Sequence, residues 1–260
     1  MKKNKLFLVT LIISMLILAA CGILPSTGTT NVTSTGASNG SQAANNPTPA
    51  TLTGVLDPAL GTGASTKSVI GHVYECLTTV DMSGQLSSVL ASTVTVSEDG
   101  LDYIFVLRPG VNFHDGTELN ADAVVSNFNR WFDPKDTLHG SGKYDKWASS
   151  FGGFKGETTS DGKHKSEVDG IQKQDTMTVI VHLNKPDANF LKKLADPAFS
   201  IVSPAALAAA GFGTQSGVDG GSGPYKLGTW TSTSLALDPF SGYWDSTLVP
   251  ASSLQVNIGQ

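Results

Sequence analysis

No part of the chain restricts its fold as tightly as residues 94–130. Two runs of β-type residues, 93–96 and 101–107, are joined through Ser97-Glu98-Asp99-Gly100. Asp-Gly between such runs predicts a hairpin, because glycine takes a positive φ without a Cβ clash. Strand geometry then puts Tyr103, Phe105 and Leu107 on one face. Pro109-Gly110 and His114-Asp115-Gly116 turn the chain twice more. From Asn120 the period becomes helical, with Val124, Phe128 and Trp131 at i, i+4 and i+7. Asn120 is the expected N-cap, Asp122 lies in the first turn where the helix dipole favours an acid, and Pro134 stops the run.

The N-terminal fifth of the chain reads as an address followed by a tether. Lys2, Lys3 and Lys5 precede an apolar run over 6–20 that is too short to span a bilayer comfortably. The run ends in Leu18-Ala19-Ala20-Cys21, which resembles the lipobox of bacterial lipoproteins. That resemblance implies a signal peptide over 1–20 and lipidation of Cys21. The alternative is an ordinary cleaved signal followed by a chance cysteine. Residues 21–51 are rich in Ser, Thr, Gly, Asn and Ala and carry no charge. Such a segment cannot bury enough apolar surface to offset its ordering entropy, so a disordered tether with a span on the order of 25–30 Å is expected.

Folded structure is expected over 52–260. Residues 65–80 read as a helix with Val69, Ile70, Val73, Tyr74 and Leu77 as its buried stripe. The preceding GTGASTKS string, 61–68, superficially suggests a phosphate loop. That motif needs Gly before its Lys, whereas Thr66 precedes Lys67, so nucleotide binding is not expected. Cys76 reads as an inert, half-buried thiol. Residues 135–168 form a long loop with Tyr144, Trp147, Phe151 and Phe154 as apolar anchors that either line a cleft or pin the loop to the core. Strands are expected over 177–183, 225–230, 234–237 and 254–258. Short helices are expected after Pro186 and over 204–210.

Composition narrows the function by exclusion. The net charge is −5, with charged residues only 15% of the chain and no basic run, which argues against a nucleic-acid partner. Two distant cysteines exclude a disulfide framework or a cysteine-type zinc site. His72, His114, His139, His164 and His182 are scattered without metal-ligand spacing. His114-Asp115 reads as a structural turn, since adjacent residues point in different directions. Ser160 and Lys163 fit a Ser-x-x-Lys pattern, but in a glycine-containing loop, and no nucleophile elbow is present. No catalytic residue, metal or cofactor is expected.

Several segments resemble, in order, the extracytoplasmic solute-binding proteins of ABC importers, peptide-binding group. They are Leu56-Asp57-Pro58, Val73-Tyr74-Glu75-Cys76-Leu77 with Asp81 and Gly84, the whole of 97–130, Ile201-Val202-Ser203-Pro204, Gly223-Pro224-Tyr225-Lys226-Leu227 and Tyr243-Trp244. The resemblance implies an α/β clamshell of the type II periplasmic-binding-protein kind, without catalytic groups. It would capture a peptide or related small solute and deliver it to ABC permease subunits, held at the outer face of the membrane by the N-terminal lipid.

Family members are longer. The reading is therefore of a C-terminally truncated lipoprotein, largely lobe one with the second lobe missing, and with an inserted subdomain at about 61–170. The strand before Leu56 is also short. Tyr144, Trp147, Ser222 and Gly223 are the candidate ligand residues. A surface-anchored hydrolase, or a non-transporting adhesive lipoprotein, remain the alternatives from other classes.

Overall fold

The computed structural model describes residues 52 and 55–258, all within one compact unit of the chain. The expected signal peptide over 1–20, Cys21 and the expected tether over 21–51 lie outside the described residues. Among the described residues no helix is long and apolar enough to cross a membrane.

The hairpin and helix form where the sequence places them. β3 (Ala91–Val96) pairs antiparallel with β4 (Asp102–Leu107), and Gly100 sits at φ 72° in the connecting turn. Helix α2 (Ala121–Phe132) begins at Asn120, whose side-chain oxygen accepts a hydrogen bond from the Ala123 N–H at 3.0 Å. Strand β6 (Thr178–Leu183) joins β4, and β5 (Val168–Lys173) adds the far edge, giving a four-stranded antiparallel sheet in the order β3-β4-β6-β5. Strand β5 was not expected. Its VDGIQK sequence holds a glycine and only two apolar residues, so partner pairing rather than its own pattern makes it a strand.

One face of this sheet, with Tyr103, Phe105, Leu107, Val179, Val181 and Leu183 fully buried, packs with α2 into the larger core. Strands β1 (Thr78–Val80) and β2 (Leu86–Ser88) form a small hairpin nearby. The expected helix over 65–80 is thus shorter: α1 covers Ala64–Val73, and Tyr74 is extended. Thr78, Thr79 and Val80 are β-branched and find strand partners, while Glu75 bridges to Ile201.

A second core lies on a three-stranded antiparallel sheet of β7 (Tyr225–Trp230), β8 (Ser234–Pro239) and β9 (Leu254–Asn257). It gathers Val69, Ile70 and Val73 of α1, Ala206 of α5 (Pro204–Ala208), and Leu52 and Leu56. The larger core is drawn from 77–201 and the second from the segments on either side. The buried residues of the larger core thus fall within 77–201, against the inserted subdomain expected at about 61–170. Helix α1 spends its apolar stripe on the second core, and β6 and the short helix α4 (Phe190–Leu194) stay with the larger one.

Polar residues join the two cores. Glu75 is buried, and its carboxylate accepts hydrogen bonds from Ser222 Oγ (2.9 Å), Tyr243 Oη (2.7 Å) and Trp244 Nε1 (3.2 Å). Burial raises the Glu75 pKa, and those three donors pull partly against it. His114 faces the Asp219 carboxylate with Nδ1 at 3.0 Å and the Gly223 carbonyl with Nε2 at 2.8 Å. Asp115 accepts from Thr117 and from Ser203 Oγ. The double turn at 109–116 is therefore a clasp between the cores.

Candidate functional site

An open concavity of about 200 Å³ lies between the loop that leads into α1 and the turn that leads into α3 (Asp145–Phe151). Ala59, Leu60, Gly61, Thr62, Gly63 and Lys67 line it from the first side, and Lys143, Asp145, Lys146 and Ala198 from the second. Sites that enclose a small molecule run to roughly 300–1,000 Å³, so a concavity of this size serves as one wall of such a site.

The wall is built on a buried ion pair. The Arg130 guanidinium, from α2, makes a two-point contact with the Asp57 carboxylate, and both side chains are only 6% exposed. Asp57 holds the loop in turn: its side chain accepts from Ala59 N at 3.1 Å, and its carbonyl accepts from Leu60 N at 3.1 Å and Gly61 N at 2.7 Å. On its other side the guanidinium lies 5.4 Å from the centre of the Tyr144 ring. A Cβ on Gly142 would stand 2.9 Å from that ring and 3.2 Å from Leu60, so glycine lets the two halves of the wall approach.

The four expected ligand residues do not face this space. Tyr144 is 2% exposed and Trp147 is 1% exposed. Trp147 is enclosed by Phe128, Trp131, Phe132, Phe151 and Phe199 at ring distances of 4.5–6.1 Å, and its Nε1 donates to the Gly153 carbonyl. The two aromatics pin the long loop to the core. Ser222 is fully buried against Glu75. Gly223 is glycine for a packing reason, since a Cβ there would come within 2.5 Å of the His72 carbonyl. What reaches the concavity is the neighbours of Tyr144: Lys143 and Asp145, with Lys146 beyond. Sequence reading passed over these residues, and weighed Lys67 only as the lysine of an incomplete phosphate loop, because charge on a loop carries no periodic signal.

The side chains of His114 and Cys76 are held in structural contacts. Both ring nitrogens of His114 are taken up by protein oxygens and its side chain is 1% exposed, so the ring is walled off from a substrate. Cys76 packs against the Asp196 carbonyl and Ser200, and burial pushes its thiol up to about 12, which leaves almost no thiolate near neutral pH. Among the described residues no group of His, Cys, Asp and Glu is placed to hold a metal ion.

Solved structures place this architecture. HbpA2 from Haemophilus parasuis superimposes with a TM-score of 0.64 at 26% identity, covering 79% of this chain and 41% of that one. The periplasmic binding protein DppA from Helicobacter pylori, in complex with the peptide STSA, gives a TM-score of 0.64 at 24% identity, with 79% and 40% covered. The described residues thus form part of a type II periplasmic-binding-protein fold. Residues 85–259 match the model of the bacterial extracellular solute-binding proteins, family 5 middle region, and the chain belongs to that family. It is 34% identical over 201 residues to the glutathione-binding protein GsiB of Escherichia coli O1:K1 / APEC, and 33% identical to that of Escherichia coli strain K12. These alignments take in 76% of this chain, which spans about a third (35%) of the length of those relatives.

Proposed function

We propose that this protein is the solute-capturing subunit of an ABC importer. It takes a peptide or related small solute outside the membrane against the wall at residues 59–67 and 143–146, and passes it to permease subunits without chemical change. The observation that carries this reading is the open, partly apolar concavity set on an α/β scaffold of a solute-binding family, beside polar groups already spent on structural bonds. GsiB binds glutathione and the Helicobacter DppA structure holds a tetrapeptide, so glutathione and short peptides are the first solutes to try.

A ligand that binds only the folded form raises stability by about 2.7 kcal/mol at a hundredfold excess over its Kd. Melting the full chain with glutathione and a panel of di- to tetrapeptides should therefore shift the transition upward for at least one of them. A flat response across the panel, together with turnover of chromogenic esters, would favour the hydrolase alternative.

The anchor forms part of the same proposal: lipid on Cys21 holds the domain at the outer membrane face through residues 21–51. Cells fed a labelled fatty acid should incorporate it into this protein, and Cys21→Ser should abolish incorporation. Equal labelling of the two would remove the anchor.

A further inference from the structure

We propose that the concavity selects solutes carrying a negatively charged group, a carboxylate above all, and that Lys67 and Lys143 are the selecting residues. The proposal rests on the solute-binding reading above.

Three lysines converge on this one wall in a chain whose net charge is −5. Lys146 is held by Asp196 at 2.7 Å and forms a fixed part of the rim. Lys67 and Lys143 are exposed and have no ion pair among the described residues. They come from separate elements, the start of α1 and the loop before α3, so only the tertiary fold makes them neighbours of the same space.

The sole acid on the wall is Asp145, in the first turn of α3, so the lysines outnumber it three to one. The rest of the lining is Ala59, Leu60, Thr62, Ala198 and the glycines at 61 and 63, none of which carries a charge. An anionic group entering here meets two cations that have nothing else to bind, over a floor that displaces water and strengthens the attraction. A solute without that group leaves both ammonium groups hydrated and gains nothing from them.

The test is a matched pair of tripeptides, Glu-Ala-Gly and Gln-Ala-Gly, each acetylated at its N-terminus and amidated at its C-terminus so that the glutamate carboxylate is the one anionic group in the pair, titrated calorimetrically into the full chain. Partners are the Lys67→Gln/Lys143→Gln variant and the charge-keeping Lys67→Arg/Lys143→Arg variant. Both sites are exposed, so all three proteins should melt together. The acidic tripeptide should bind the unmodified chain roughly five- to tenfold more tightly than the neutral one, as two solvent-facing charge contacts allow. The preference should persist in the arginine variant, fall to within about twofold in the glutamine variant, and shrink as salt is added. Equal binding of the two peptides by the unmodified chain, or a preference that survives the glutamine substitutions, would overturn the proposal and leave the solute-binding reading standing. No binding of either peptide, with no response across the wider panel, would overturn both.

Discussion

Arg130→Ala is expected to cost the folded state about 3–5 kcal/mol, enough to unfold much of a domain of ordinary stability. The arginine and Asp57 are both 6% exposed and each satisfies the other at two points. Removing the guanidinium leaves a buried carboxylate with no cation, and that uncompensated charge, rather than the lost contact, makes the substitution severe. Asp57 also organises the backbone of residues 59–61, so the wall of the concavity should loosen as stability falls. Replacing both partners together, as Arg130→Met with Asp57→Asn, removes the stranded charge and should recover a large part of the loss. Urea unfolding of the unmodified chain and these two variants provides the comparison. A loss below about 1 kcal/mol in the single variant would mean that the pair is solvated in solution.

Trp147→Ala should be comparably damaging, at about 3–5 kcal/mol, through the cavity left when a large buried ring is deleted. Five aromatic rings surround it, and they are contributed by α2, α3 and the turn at Pro197–Phe199. None of these elements can collapse inward without giving up its own packing. Trp147→Phe, which keeps most of the apolar volume, should cost distinctly less. The size of the effect separates two roles for this residue. A tryptophan lining an open cleft could be truncated for well under 1 kcal/mol, whereas one that closes a core could not. A small loss on urea unfolding would return Trp147 to the list of ligand residues.

The elements easiest to read were those whose signals are local. The hairpin at 91–107 depends on a glycine with positive φ and on alternation within six residues, and α2 depends on a cap four residues ahead of its Val124-Phe128-Trp131 stripe. Helix α1 was overextended because Leu77 continues its apolar spacing, while the pairing that pulls Thr78–Val80 into a strand involves a partner visible only in three dimensions. Strand β5 has too few apolar residues to announce itself. The candidate site fared worst, and for a definite reason. Aromatic and glycine-rich segments drew attention to Tyr144, Trp147, Ser222 and Gly223, but these residue types serve close packing as readily as recognition.

From the sequence alone came the class of fold, the resemblance to solute-binding proteins, the expected lipid address at Cys21, and the reading of His114-Asp115 as a turn. All of these rest on residues adjacent in the chain, where a few side chains and the backbone decide the outcome together. Only the tertiary structure paired Arg130 with Asp57, set Glu75 at the seam between two cores, and brought Lys67 and Lys143 to one wall. Contacts of that kind join residues seventy or more positions apart, and no local pattern encodes which distant partner a buried charge or an exposed lysine will meet.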